Sequence, residues 1–348
     1  MQLVTVIQKL KIETPQKQIK DTIMRSATYD YFGKPTEVLS VGDRPTPEPK
    51  ANEVRVKTIL ASIHNHDLLT IRGKYGFKPE MPAIGGSEAV GIIDAVGSDV
   101  KDLKVGQRIA AASVQATWAE YFVASEDMVF PVPDSLDDEM AAQLVAMPLS
   151  ALMLLEFLEV KSGQWVIHNA ANGAVGKSLA MLAAARGVKT INVVRSSDAI
   201  KELEAIDVKN NINTEEDDWK EQVKAIIGKD KISAAVDSVG GEDSGALLSL
   251  LGHGGVFAVF GAMSGKAMVL NPTDVIFKQA TLKGFWGSKL SQEMSVENKQ
   301  RLVDELIERA VDGKLKLPTE ATFDLADILD AVDGKLQKQK SGKVLIKP

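Results

Sequence analysis

Between Val54 and Gly106 the apolar residues come in short runs punctuated by Gly and Pro, as in EVRVKTILAS, MPAIGGSEAVGIIDAVG and LKVGQRIAAAS. Short strands joined by turns have this spacing, so the segment predicts a β-rich, partly barrel-like unit with weak helical periodicity. After Pro133 the pattern changes. SLDDEMAAQL offers Ser135 as an N-cap with acids in the first turn, and an apolar helical stretch follows to about Val160. The change of period puts a domain boundary near residue 148.

From Trp165 to Trp286 β-branched runs alternate with helix-length segments: WVIHNA, SLAMLAAARG, TINVV, SAAVDSV, GVFAVFGA and TLKGFW. Strands separated by helices predict a parallel sheet covered on both faces, a doubly wound α/β unit. Beyond it Leu302, Val303, Leu306, Ile307 and Ala310 recur at helical spacing, with Gly313 placed to end that helix. The last run, KVLIKP, needs a sheet to join and is expected to return to the first unit. The expected organisation is an extension over residues 1–23, a β-rich domain over 24–147 and 290–348, and a doubly wound domain over 148–289. No internal repeat or low-complexity tract interrupts it.

Length agrees with two domains, since 348 residues exceed the ~150 of one. Lys and Arg number 41 against 47 Asp and Glu, a net charge of -6, so there is no cationic field to hold a nucleic-acid backbone. The longest apolar stretch, about 141–155, carries Gln143 and Pro148 and falls short of the ~20 residues that cross a bilayer. The N-terminal MQLVTVIQKLKIETPQKQIKD lacks a small-residue cleavage site and a long apolar core, which leads to the expectation of a cytoplasmic protein. The chain has no cysteine, which rules out disulfides, thiol nucleophiles and thiolate-bound zinc.

HNAANGAVGKS follows the strand WVI and opens the helix LAMLAAARG, the strand–turn–helix order of a dinucleotide fingerprint. Ala171 stands where the first Gly is usual. Gly173 would let the backbone approach a pyrophosphate, Gly176 would let helix and strand pack closely, and the helix N-terminus offers free N–H groups. The next strand, TINVV, ends in Arg195, Ser196 and Ser197, where an NAD site has a carboxylate for the ribose 2′-hydroxyl. A cation and hydroxyls there favour a 2′-phosphate, hence NADPH. The other reading of Arg195 is a solvated strand-end cation.

Four histidines remain as metal or acid candidates. His64 and His66, with Asp67 and Glu88, invite a metal reading, but their spacing matches no ligand set and favours hydrogen bonding; His168, inside a strand, reads as a satisfied buried residue. A conjugated carbonyl needs less help than a plain ketone. Hydride at its β-carbon drives charge onto oxygen, where hydrogen-bond donors stabilise it, and one proton donor completes the reaction at the α-carbon. Tyr75, in the turn-rich RGKYGFKPEMP, is a candidate donor, since a phenol carries a transferable proton at neutral pH. On composition alone a loop Tyr is more often a packing residue than a catalytic one.

RGKYGFKPEMPAIGGSEAVG, HNAANGAVGKSLAMLAAARGVKTINVVR and TLKGFW together resemble the zinc-independent branch of the medium-chain dehydrogenase/reductases. Within it they are most similar to the 2-enoyl thioester reductases, with the quinone oxidoreductases close behind. The resemblance implies a Rossmann domain inserted into a GroES-like catalytic domain, from about Met24 to the C-terminus. It implies Tyr75 as proton donor, Asn172, Gly173, Ala174, Val175 and Gly176 over the pyrophosphate, and Arg195, Ser196 and Ser197 at the 2′-phosphate. It also implies Phe260, Gly261, Ala262 and Met263, then Phe285, Trp286 and Gly287, flanking the nicotinamide, and Lys343 contacting the cofactor. His64 and Trp286 are substrate-side candidates. The zinc-enzyme Gly-His-Glu is Gly86, Ser87, Glu88 here, and the enoyl reductases' Asn-Pro-Ser-Asp turn is His64, Asn65, His66, Asp67. Implied partners are an enoyl thioester, enal or quinone, and a second copy in a homodimer. A quinone reductase and a non-enzymatic NADPH-sensing protein are the alternative functions. The basic LQKQKSGK run is either a solvated face or a contact for a CoA phosphate.

Overall fold

The computed structural model describes residues 23–333 and 342–348. The expected N-terminal extension, apart from residue 23, and most of the LQKQKSGK run lie outside the described residues. The first half holds eight strands: β1 (Ile23–Tyr29), β2 (Ser40–Pro45), β3 (Glu53–Ser62), β4 (Ala83–Ile84), β5 (Glu88–Val96), β6 (Arg108–Ala112), β7 (Tyr121–Ser125) and β8 (Val129–Pro131). Six follow in the parallel sheet: β9 (Trp165–His168), β10 (Lys189–Val194), β11 (Asn211–Asn213), β12 (Ile232–Asp237), β13 (Leu251–Val259) and β14 (Thr281–Gly284). The chain closes with β15 (Thr319–Asp324) and β16 (Lys343–Lys347).

β9 to β14 form one wholly parallel sheet in the order β11-β10-β9-β12-β13-β14. The strand sequence reverses direction between β9 and β12, and open α/β sheets bind ligands in the crevice above such a switch point. Asn169 and Asp237, at the ends of those two strands, pin its floor. Asn169 Nδ2 donates to Asp237 Oδ1 at 2.7 Å, Asp237 accepts from the N–H of Val239 and Gly240 and from the Ser244 hydroxyl, and Asn169 Oδ1 accepts the N–H of Ser238 at 2.7 Å. This is the Rossmann arrangement, and the β-rich remainder is the separate GroES-like domain. There β16 pairs antiparallel with β3, as KVLIKP was expected to do, in a seven-stranded sheet that also contains β5, β6, β7, β8 and β15.

Two local expectations change. The helix after Pro133 begins at Asp138, with Asp137 rather than Ser135 as its N-cap; Asp137 accepts the Met140 N–H at 2.6 Å. It ends at Ala141, and a second helix, Ala146–Leu158, starts afresh instead of running through. The break has a cause in the fold: the Val145 and Ala146 N–H groups point at the Glu88 carboxylate from β5 instead of into a continuous helix. The second change is a helix, Asn65–Ile71, inside the strand-rich segment. Its two apolar positions facing the core, Leu68 and Ile71, are too few to register as a period.

His168 lies on β9 beneath the crevice, buried, with Nε2 2.7 Å from Asn192 Oδ1 on β10. Burial lowers its pKa from 6.5 to about 4, against the opposing pull of Asn192. The folded state therefore prefers the neutral ring: the stabilisation is complete above pH 6.5 and is lost as pH falls through about 4. Across that window the loss is about 3 kcal/mol. His168→Gln keeps a donor toward Asn192 without titrating, and its unfolding free energy is expected to fall less between pH 6.5 and 4 than that of the parent. Parallel urea titrations check this, and identical slopes would discard it.

Candidate active site

The glycine loop follows β9 and turns at Ala170, whose φ of 50° is left-handed, directly into the helix Ala174–Ala185. Gly176 explains why the turn is so tight: a Cβ there would lie 2.6 Å from the Ala171 carbonyl oxygen and 2.7 Å from its Cα. The close approach is thus between helix and turn. Gly173 is the N-cap and no side chain caps the helix, which leaves its first N–H groups facing the crevice. Asn172 through Gly176 line a cleft of about 430 Å³ with Phe260 and Met263 after β13 and Lys343 on β16. Gln143, Met147 and the Lys316–Pro318 segment complete it from the GroES-like side.

Other expected residues stand elsewhere. Arg195 and Ser197 are exposed at the end of β10, and Ser196 caps the next helix by accepting the Ala199 N–H. Phe285 is buried between Phe157 and Phe260, at ring separations of 5.3 and 5.6 Å, so it supports the cleft wall from behind. Trp286 is 68% exposed, Gly287 follows it, and Gly261 and Ala262 lie between Phe260 and Met263 without lining the cleft.

Beside the cleft, sequence reasoning underrated a polar cluster. Gly86, at φ 92°, passes so closely over Trp118 that any Cβ would overlap the indole, and this brings Ser87 and Glu88 against the helix Asn65–Ile71. Glu88 is fully buried: Oε1 accepts the N–H groups of Val145 and Ala146, both at 2.7 Å, and Oε2 lies 2.7 Å from His64 Nε2. Burial raises Glu88 to about 7 even though those N–H groups pull it down. Burial holds His64 well below its usual range, with Lys343 adding to the effect. His64 Nδ1 is buried without a partner, which agrees with a neutral ring whose single N–H goes to Glu88. Lys343 is lowered too, by burial, with Glu88 and Asp67 opposing.

His66 stacks on His64 at 4.9 Å and places Nε2 2.8 Å from Ser87 Oγ, and Ser87 donates to Asp67 Oδ1 at 2.6 Å. On its other side His66 meets Tyr75, with ring centroids 5.7 Å apart. Tyr75 is half-buried in its loop, and its hydroxyl lies 3.3 Å from Ser288 Oγ in the helix Gly287–Glu293, next to Trp286. The structure therefore brings together His64, His66, Tyr75 and the Trp286–Ser288 segment. His66 and Ser87 stood in motif positions that gave no sign of their pairing with each other, and Ser288 carried no motif that could have singled it out.

Two family models match: "Alcohol dehydrogenase GroES-like domain" over residues 50–134 and "Zinc-binding dehydrogenase" over 174–304. The donors here do not suit zinc. The chain has no cysteine, His64 and Glu88 are committed to each other, and among the described residues no three His, Cys, Asp or Glu side chains are grouped to hold a metal ion. The chain is 33% identical to the mitochondrial enoyl-[acyl-carrier-protein] reductase of Homo sapiens, covering 93% of this chain and 88% of that protein. It is 34% identical to the Arabidopsis thaliana protein of the same name, over 94% and 91%. Among solved structures, a putative NADPH:quinone reductase from Bacillus thuringiensis superposes with a TM-score of 0.85 at 30% identity, covering 94% of this chain and 99% of that one. The Escherichia coli quinone oxidoreductase complexed with NADPH gives 0.82 at 25%, over 93% and 100%. Similarity of this extent across both domains means that the chain belongs to the medium-chain dehydrogenase/reductase family, in its enoyl reductase branch next to the quinone oxidoreductases.

Proposed function

We propose that the chain is an NADPH-dependent reductase of α,β-unsaturated carbonyl compounds, most like a trans-2-enoyl thioester reductase. The residues present fit a phosphorylated dinucleotide: the uncapped helix after Gly173 suits a pyrophosphate, and Arg195 with Ser196 and Ser197 suits a 2′-phosphate. When bound, the cofactor supplies a hydride, two electrons that the β-carbon takes up. Tyr75 then gives its hydroxyl proton to the α-carbon as the enolate collapses, and the phenolate regains a proton from water. The observation that carries this reading is Tyr75 itself, a phenol on a glycine-flanked loop, held at its hydroxyl by the segment that follows β14. No step calls for a metal.

Following NADPH oxidation with crotonyl-CoA, an enal and a quinone tests the proposal, with enoyl turnover expected to dominate. The structural likeness to quinone reductases favours the second reading, in which a quinone takes the hydride and no dedicated acid is needed. Quinone turnover without enoyl reduction would select it, and binding of NADPH with no turnover on the panel would select the sensing protein. Arg195→Asp is expected to weaken NADPH about 10- to 100-fold while NADH changes little, because a carboxylate repels the 2′-phosphate. Equal losses in fluorescence titrations with both would remove Arg195 from that role.

We also propose a homodimer. β14 is an edge strand with Leu282 on it exposed, and Ile276 and Phe277 on the helix that precedes it are exposed as well, apolar surface that a second copy would cover. Phe277→Glu should yield a monomer by light scattering, and a parent chain already monomeric at micromolar concentration would contradict the proposal.

A further inference from the structure

We propose that Ser288 is the positioning residue for proton transfer: it donates its hydroxyl hydrogen to Tyr75 Oη and holds the phenolate left once the proton has gone. The inference rests on the reading of Tyr75 as proton donor. Tyr75 sits on a loop between Gly73, at φ 67°, and Gly76, and proton delivery to one carbon demands placement within about half an ångström. Two side chains supply the restraint. His66 bears on the ring, and Ser288, 213 positions along the chain, reaches the hydroxyl at 3.3 Å.

His66 is itself oriented. Ser87 has one hydrogen and spends it on Asp67, so Ser87 Oγ can only accept, and His66 Nε2 must donate to it. The same counting applies at Tyr75. Its single O–H hydrogen goes to the substrate carbon, so Oη is the acceptor and Ser288 Oγ the donor. As the O–H bond breaks and the C–H bond forms, negative charge gathers on Oη, where a donor already in place strengthens its bond. At 3.3 Å the contact is longer than usual for two hydroxyls, as catalytic hydrogen bonds often are before substrate binds. The charged and titratable groups around it are His66 against the ring, with Asp67 and Glu88 behind it, Lys74 and Lys78 on the loop itself, and Lys289 beside Ser288, paired with Glu293 at 3.7 Å.

The test compares Ser288→Ala, Ser288→Thr, Tyr75→Phe and the Ser288→Ala/Tyr75→Phe double variant in the full chain, with NADPH and crotonyl-CoA, from pH 6 to 10.5. Ser288→Ala is expected to lower kcat roughly 5- to 20-fold with the KM for NADPH unchanged. Ser288 acts on the charge that gathers on Oη, so its removal should move the alkaline limb of kcat to higher pH. Ser288→Thr keeps the hydroxyl and should keep rate and limb. In the Tyr75→Phe background Ser288→Ala should cost nothing further, since the shared interaction is already gone. An unmoved limb, an equal loss in the threonine variant, or a full additional loss in the double variant overturns the inference. Tyr75→Phe at parental kcat overturns the donor reading itself, whereas an impaired Tyr75→Phe beside an unaffected Ser288→Ala removes Ser288 alone.

Discussion

Tyr75→Phe is expected to lower kcat/KM for an enoyl thioester by roughly 10- to 1000-fold, about 1–4 kcal/mol of transition-state stabilisation. The ring of phenylalanine keeps the contact with His66, so the change removes the transferable hydrogen and its bond to Ser288 and little else. Binding of NADPH should stay within about twofold, because Tyr75 does not line the cleft beneath the glycine loop. Steady-state kinetics with crotonyl-CoA checks the first part and fluorescence titration the second. Turnover within about threefold of the parent would falsify the acid role.

Glu88→Leu is expected to cost about 3–5 kcal/mol of stability. Three donors converge on that one buried carboxylate: the Val145 and Ala146 N–H groups and His64 Nε2. Leucine leaves all three without partners at the junction where the helix Ala146–Leu158 begins, and Gln143 before that junction and Met147 after it line the cleft. Glu88→Gln keeps an acceptor and should lose less than half as much. Urea unfolding followed by circular dichroism measures both. A leucine variant within 1 kcal/mol of the parent would show that the three donors find water or other partners. The ionisation of Glu88 adds a pH dependence of opposite sign to that of His168. Its carboxyl, raised from 4.5 to about 7, favours the folded state in its protonated form, so this contribution is complete below pH 4.5 and is lost as pH rises through about 7.

How much of this was legible beforehand depended on whether a residue's neighbours lie close in the chain. The glycine loop was legible because strand, turn and helix are contiguous and each glycine has a local steric reason, seen again in the 2.6 Å approach of Gly176 to Ala171. The helix Asn65–Ile71 was not, since seven residues contain too little apolar repeat. Ser135 was a reasonable cap by residue type, and it lost to Asp137, two positions on, because the helix start is set by packing as well as by capping.

By itself the sequence determined the two kinds of sheet, the crossover periodicity, the glycine turn after β9, the cation at the end of β10 and the absence of thiolate ligands, all of them properties of residue type and spacing. Only the tertiary structure decided that Glu88 would clamp the start of the helix Ala146–Leu158, that His66 would be oriented through Ser87 and Asp67, and that Ser288 would meet Tyr75. These contacts join residues 20 to 213 positions apart. A hydrogen bond between such residues depends on how the chain folds back on itself, and neither partner's local sequence carries a record of the other.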